Sequence, residues 1–191
     1  MANPFEQIRA NSNDQTKSMN WYMNQVRKIR GDFQTQGQVY KSDIGTTASK
    51  IEVGNMYMFL YDPIYAETLP YYDTFPLCLP YEETSNGFYG LNLHYLPYLM
   101  RAKLLGNLIE TIDTPSIGPK TKMQYNWSLL NQASRSPMVK PCVKRYVKQR
   151  IGSKLLKVNP EDWKAAIFLP VEQFNKASKQ KVYSDKRRRF N

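Results

Sequence analysis

The sequence predicts an α+β fold: a small antiparallel sheet, for which an SH3-like form is one option, packs with several helices and is followed by a basic C-terminal tail. Three observations favour this class. Strand-like apolar runs are concentrated between residues 51 and 95, helical periodicity flanks them on both sides, and the last residues are strongly basic. The 191 residues are 41% hydrophobic and 13% aromatic, so the chain is long and apolar enough to bury one core.

The chain is expected to have three parts. They are an N-terminal helical arm (1–31), a single α+β domain (32–175) and a basic flexible tail (176–191). Within the arm, residues 17–30 are predicted to form an amphipathic helix that ends at Gly31. Its apolar side chains recur at helical spacing along one stripe, which contains Met19, Tyr22, Val26 and Ile29.

The strands of the sheet are predicted from apolar segments bounded by turn residues. The three main segments are 56–61, 69–80 and 87–95, and prolines fall only at their edges, where a sheet tolerates them. Residues 154–158 and 165–169 are shorter apolar runs. We expect these two runs to return to the same sheet as strands.

Three helices are predicted after the first strands. Residues 96–112 carry an apolar stripe with helical spacing and a proline in the first turn, which makes this the clearest helix of the chain. Residues 121–133 are expected to form a second helix. A third is predicted over 142–151, opened by Pro141 and closed by Gly152.

Charge is segregated along the chain, and this indicates a polyanionic partner. The formal net charge is +11, and residues 114–191 alone carry eighteen basic and four acidic side chains, net +14. Residues 32–113 carry four basic and ten acidic side chains, net −6. A surface that is merely soluble mixes its signs, whereas clustering of this size is typical of proteins that bind nucleic acid.

Nine basic residues form the predicted DNA-binding set: Lys140, Lys144, Arg145, Lys148, Arg150, Lys186, Arg187, Arg188 and Arg189. The first five would share the surface of the predicted helix 142–151 and its start, where the lysines recur every fourth residue. No acidic side chain stands four residues from these lysines, so they repel one another unless an anion compensates. The last four are consecutive cations near the chain end, which suits phosphate contact. A plainly solvated helix face and a tail docked on an acidic protein remain alternatives.

Enzymatic function is not expected. The sequence has no Gly-rich phosphate loop, no dinucleotide-binding fingerprint and no serine nucleophile elbow. The single histidine, His94, is interpreted as a hydrogen-bonded structural residue rather than a general base. A metal-dependent nuclease would need clustered carboxylates, and the candidates all stand at predicted turns: Asp62, Asp73, Glu82 and Glu83. We therefore expect no catalytic residue, no metal and no cofactor.

Three further patterns complete the expectations. Cys78 and Cys142 stand among apolar or proline neighbours and are predicted to be buried free thiols. No long apolar run is present and the mean hydropathy is −0.61, so neither a membrane span nor a secretory signal is expected. Eight tyrosines cluster in the acidic middle, where core or subunit packing is a better account than base stacking, which needs a basic groove.

Five segments resemble a known family. They are MYMFLYDP (56–63), LPYYDTFPLCLP (69–80), GFYGLNLHYLPYLMRAKLL (87–105), KPCVKRYV (140–147) and WKAAIFLPVEQF (163–174). Together they are similar to the DNA end protector proteins of T-even-type tailed phages. The resemblance spans residues 18–183 and lies in sequence texture, so it carries no catalytic or binding residues with it.

The resemblance implies a virion protein, made in the host cytoplasm, that is added late in head completion. It would sit at the neck or portal and cover the end of the packaged genome. The implied partners are double-stranded DNA at the genome end and other virion subunits of the neck, portal or tail, with a homo-oligomer as one arrangement and no membrane. The alternative is a purely structural adaptor of the neck, tail or baseplate with no role at the DNA end.

Overall fold

A computed structural model describes residues 4–13, 17–29, 36–42, 44–112 and 128–187 of the chain. Its helices are α1 (Pro4–Ser12), α2 (Met19–Ile29), α3 (Gln36–Lys41), α4 (Tyr98–Ile112), α5 (128–135), α6 (Trp163–Ala166) and α7 (Lys179–Arg187). Its strands are β1 (Gly45–Ala48), β2 (Met56–Met58), β3 (Tyr72–Asp73), β4 (Leu77–Thr84), β5 (Gly87–Asn92), β6 (Val143–Val147), β7 (Leu155–Val158) and β8 (Phe174–Asn175). The predicted α+β class is confirmed.

The strands form an antiparallel sheet of six in the order β1-β7-β2-β4-β5-β6, and β3 pairs with β8 in a separate ribbon. The β4–β5 hairpin contains a bulge between Pro80 and Glu82. Gly87 begins β5 at its closest approach to β6, since a Cβ there would lie 1.8 Å from the carbonyl oxygen of Tyr146. Only glycine permits this approach, which brings the basic segment of the chain alongside β5.

The sheet curls so that the segment after β2 meets the segment after β6. A turn of 3₁₀ helix at Lys148–Arg150 follows β6, and Ile151 then forms an antiparallel bridge with Tyr61. Backbone hydrogen bonds run from Asp62 N to Arg150 O (3.1 Å) and from Gly152 N to Leu60 O (2.9 Å). The long connection 61–73 between β2 and β4 therefore begins beside β6.

Two apolar clusters lie on opposite sides of this curled sheet. The smaller cluster is aromatic: Phe59 makes edge contacts with Phe88 and Tyr146, at ring-centroid distances of 6.0 and 5.2 Å. The larger cluster joins the sheet to the helices. Residues of β2, β4 and β5 contribute to both clusters. The apolar segments from which these strands were predicted are therefore buried on both faces of the sheet, so apolar residues do not alternate with polar ones along them.

Two sequence-predicted elements are wrong in type. The predicted helix 142–151 is strand β6 between two 3₁₀ turns, Lys140–Cys142 and Lys148–Arg150. A spacing of four is even, so it also places side chains on one face of a strand, and pairing with β5 decided the conformation. The predicted strand 165–169 begins instead within the short helix α6, since brief buried apolar runs fit either structure.

The helices 19–29 and 98–112 agree with the predictions for 17–30 and 96–112. Of the helix predicted over 121–133, residues 128–133 are helical and the first part lies outside the described residues. The expected division into arm, domain and tail stays a prediction. However, Phe5 and Val26 from the expected arm and Val182 from the expected tail share the larger core, and 179–187 is helical.

No helix in the described part of the chain is long and apolar enough to cross a membrane.

Candidate nucleic-acid interface

The predicted basic residues 140–150 lie along β6, which is an edge strand of the six-stranded sheet. Arg145 stands in the strand and is exposed, and Lys144 beside it is half-buried. Lys140 and Lys148 lie in the flanking 3₁₀ turns and are exposed. The structure thus brings these cations to one edge, although on a strand and its turns rather than on a helix.

The immediate contacts of these cations differ. Arg150 is held by Asp62, donating from Nε to its backbone oxygen (3.0 Å) and forming an ion pair with its carboxylate (3.0 Å). Arg150 thus gains an acidic partner from the distant segment after β2, which the spacing of charges within its own segment does not indicate. Arg145 donates to the side-chain oxygen of Asn86 (2.9 Å). Lys144 Nζ lies 4.1 Å from the ring centroid of Tyr95, a cation–π contact.

A cavity of about 340 Å³ opens between β6 and the connection 61–73, and we call it the tyrosine groove. Its lining contains apolar side chains, Asn86, Asn92, Asp73, the cations Lys144 and Arg145, and six tyrosines: Tyr61, Tyr65, Tyr71, Tyr72, Tyr95 and Tyr146. Sequence reasoning placed the tyrosines of the acidic middle segment in the core, and all of the groove tyrosines except Tyr146, which stands in β6, belong to that segment. Some are buried, but the fold supplies the basic residues of the groove from a segment more than 40 residues further along the sequence.

A second cavity, of about 510 Å³, adjoins the tyrosine groove and shares Tyr71, Tyr95 and Lys144 with it. It adds Lys140 to the basic lining, and Asp185 as its acidic residue. The Asp185 carboxylate accepts a hydrogen bond from Lys181 at 2.6 Å. The two cavities thus share part of their basic and aromatic lining.

The rim of the tyrosine groove exposes apolar surface. Tyr65 is 69% exposed and Ile64 is 53% exposed. Lys176 holds the turn that carries them, because its ammonium donates to the carbonyl oxygens of Ala66 (2.6 Å) and Glu67 (2.8 Å). The rim is thus an ordered turn in which a tyrosine ring faces solvent.

The inner wall of the groove contains a buried polar network around Asp73. One carboxylate oxygen accepts from the backbone N–H of Phe75 (3.0 Å) and of Gln173 (3.3 Å). The other accepts from the Asn92 side chain (3.0 Å) and lies 2.8 Å from His94 Nδ1. His94 is fully buried and hydrogen-bonded, as predicted, and its structural role stays a prediction. Both carboxylate oxygens of Asp73 are therefore engaged by buried polar groups of the wall.

Sequence reasoning missed a second cation cluster, which we call the Arg101 hub. Arg101 is fully buried in α4 and donates to the backbone oxygens of Leu96 (2.8 Å) and Ile167 (3.0 Å). Its guanidinium also bonds Glu172 (2.5 Å) and Tyr183 (2.9 Å). Burial would raise the pKa of Glu172, but Arg101, His94 and Lys179 together outweigh the burial and lower that pKa to about 2. The one sequence signal for this cluster was a single arginine near the apolar stripe of the helix predicted over 96–112.

The remaining predicted site residues belong to the C-terminal end. Lys186 and Arg187 stand in the last turn of α7, and Arg188 and Arg189 lie outside the described residues.

Both cysteines are buried free thiols, as predicted. Among the described residues, no group of three or more His, Cys, Asp or Glu side chains is placed to hold a metal ion.

Comparison with known proteins adds one finding. The family model described as Phage T4 terminal DNA protecting protein matches residues 5–189, nearly the whole chain. No curated protein and no solved structure matches the chain significantly. The match covers both the strands that form the tyrosine groove and the helices of the Arg101 hub. The chain therefore belongs to the family of the phage T4 terminal DNA protecting protein.

Proposed function

We propose that this chain is a non-enzymatic virion protein that binds the terminus of the packaged double-stranded genome and shields it from exonuclease. The family membership supports protection of phage DNA ends. Its assembly at head completion, in the neck beside portal or tail subunits, and as a homo-oligomer belongs to the same proposal.

The observation that carries the proposal is the basic edge beside the tyrosine groove. Lys140, Lys144, Arg145 and Lys148 lie along β6 and its two flanking turns. Within the described part of the chain, Lys140, Arg145 and Lys148 form no ion pair with a carboxylate. Cations left without carboxylates are available to phosphates, and each phosphate contact releases counterions on binding.

Protection follows from occupancy rather than chemistry. A processive exonuclease must thread the end of the strand into its own site, so a protein seated on the terminal phosphates excludes it. Phosphate contacts alone carry no sequence information, which suits a protein that covers one end whatever its sequence. Lys186, Arg187, Arg188 and Arg189 would extend the contact along the backbone, with affinity that falls steeply as salt rises.

The test is an exonuclease-protection assay on linear duplex DNA, with covalently closed circles as competitor. We expect linear DNA to survive and circles to compete poorly. Equal competition by circles would make the protein a general DNA binder and remove the end-specific part. Absence of protection even at low salt would indicate that the basic edge meets acidic virion subunits, as in a purely structural adaptor of the neck, tail or baseplate.

A further inference from the structure

The tyrosine groove has a feature that contact with the side of a duplex does not require. A duplex presents phosphates and sugars outward and base edges in its grooves, while the flat faces of its bases are stacked on one another and inaccessible. Cations are sufficient to hold that surface. Yet aromatic rings stand beside the cations in the lining of the groove, and one of these rings, that of Tyr65, is 69% exposed at the rim. Together with Ile64, which is 53% exposed, this ring presents an apolar surface beside cations that a stacked base can cover.

An aromatic groove with cations inside it is the arrangement that binds unpaired nucleotides. Any base can stack on a tyrosine, and a neighbouring lysine or arginine takes the phosphate. Lys144 and Arg145 line the same cavity as Tyr65, Tyr71 and Tyr72. Tyr71 and Tyr72 are half-buried, so their rings are supported on one side.

The dimensions and charge of the groove fit the same ligand. A volume of about 340 Å³ is at the small end of the range for small-molecule sites, which suits one nucleotide rather than a helix. The adjoining cavity of about 510 Å³ carries Lys140, so a basic path continues beyond the first site. Asp73 in the wall has both oxygens engaged by buried donors, which limits its repulsion of a phosphate.

We propose that the tyrosine groove binds the unpaired terminal nucleotide of a DNA end, with its base stacked on Tyr65 or its neighbours and its phosphate on Lys144 and Arg145. The inference rests on the proposed function and specifies the form of the end: a frayed or overhanging strand is held more tightly than a blunt one. The end is then recognised because it alone offers an unpaired base.

The experiment compares the affinity of the full chain for four fluorescent DNAs of equal duplex length. One is closed by hairpin loops sealed at both ends, one is blunt, and two carry a short overhang at the 5′ or the 3′ strand. The loops contain a flexible non-nucleotide linker, so the closed DNA offers no unpaired base. We expect an overhang of at least one polarity to bind about 5- to 20-fold more tightly than the blunt duplex, the lower part of the range for stacking one base on an aromatic ring.

Variants assign the preference to the groove. Tyr65→Ala is expected to reduce the overhang preference at least about threefold, and Tyr65→Phe to keep it because the ring remains. Leu99→Ala is the matched control, since Leu99 is 70% exposed on α4 outside the groove lining. Each variant is checked for an unchanged melting temperature.

The outcomes separate the two proposals. Equal affinity for overhanging and blunt ends, both above the closed DNA, overturns the unpaired-nucleotide site and leaves end protection standing. Equal affinity for all four DNAs overturns end recognition itself. An overhang preference that survives in Tyr65→Ala and in a Tyr71→Ala/Tyr72→Ala double variant overturns the assignment to this groove.

Discussion

The Arg101 hub and the tyrosine groove use the same chemistry, cations beside tyrosines, in opposite ways. The Arg101 guanidinium lies 4.7 Å from the ring centroid of Tyr98, and Lys144 Nζ lies 4.1 Å from that of Tyr95. In the hub, carboxylate, carbonyl and phenol groups of the protein meet the buried cation. At the groove, cations are exposed or half-buried and open onto a cavity.

The difference separates structural charge from charge available to a ligand. A buried cation must have its donors satisfied within the fold, and the hub does so by tying α4 to Glu172 and to Tyr183 of α7. An exposed cation costs little to leave in water, so it can exchange that water for a phosphate. The net charge of a sequence segment includes buried and exposed cations equally. The fold distinguishes the cations that are paired inside the protein from those that a ligand can reach.

The largest effect is expected from breaking the hub. Arg101→Met should lower the free energy of unfolding by about 3–5 kcal/mol, because Glu172 would remain buried without its main partner. Urea denaturation measures this loss, with Lys103→Met, an exposed position on the same helix, as control. Equal loss in the two variants would contradict the structural role of the hub.

Acidification should weaken the ion pair between Arg101 and Glu172 in the hub. The pKa of Glu172 is about 2 in the folded chain against 4.5 as its ordinary value, so its stabilisation is complete above pH 4.5 and is lost as pH falls through about 2. The loss amounts to about 3 kcal/mol. Urea denaturation as a function of pH should show it in the wild type and not in Glu172→Gln.

Asp162 acts in the opposite sense, since burial raises its pKa to about 6, partly offset by Arg9. Its ionisation between pH 4 and 6 therefore destabilises the folded chain. Asp162 is present in both the wild type and Glu172→Gln. Its contribution therefore cancels when the free energy of unfolding of one is subtracted from that of the other. If that difference does not change below pH 4.5, the ion pair does not stabilise the fold as described.

Two arginines near β6 sharpen the distinction at the groove. Arg145 lines the cavity, whereas Arg150 is paired with Asp62. Arg145→Gln should weaken DNA binding about 5- to 10-fold and reduce the slope of log affinity against log salt by about 1. Arg150→Gln should change affinity less than about twofold. Fluorescence anisotropy across a salt series measures both, and equal effects would mean that the ion pair does not decide availability.

The smallest effect is expected at the rim. Lys176→Met removes the ammonium that holds the carbonyls of the turn, so the turn should open more often while global stability falls by no more than about 1 kcal/mol. Amide hydrogen exchange should accelerate at Thr68 and Leu69, whose N–H groups both bond Tyr65 O. Unchanged exchange would show that Lys176 does not order the turn.

The sequence was sufficient for the fold class because long periodic segments identify their own structure. Helices α2 and α4 and strands β4, β5 and β7 fall within or overlap the segments predicted for them. The basic segment was predicted with the wrong element, since lysines four residues apart share a face on a helix and on a strand alike. Its conformation is set by Gly87 and by pairing with β5, which are distant in sequence.

The candidate site was only half predictable for the same reason. Lys144 and Arg145 were identified from charge, and their role in DNA binding stays a prediction. The tyrosine groove was missed because five of its six tyrosines belong to a net-negative segment, and the fold brings the cations to them. Neither the pairing of Arg150 with Asp62 nor the enclosure of Arg101 by Glu172 has a local sequence pattern, since the partners are 71 to 88 residues apart.

The central claim is that the basic edge of β6 beside the groove, rather than the positive charge of the chain in general, protects DNA ends. The most direct test is exonuclease protection of linear duplex by Lys144→Gln/Arg145→Gln, beside a Lys103→Gln/Lys154→Gln control that removes two exposed cations outside the groove lining. We expect the control to protect as the wild type does, while the groove variant needs at least about tenfold more protein. Equal protection by the two double variants would contradict the claim.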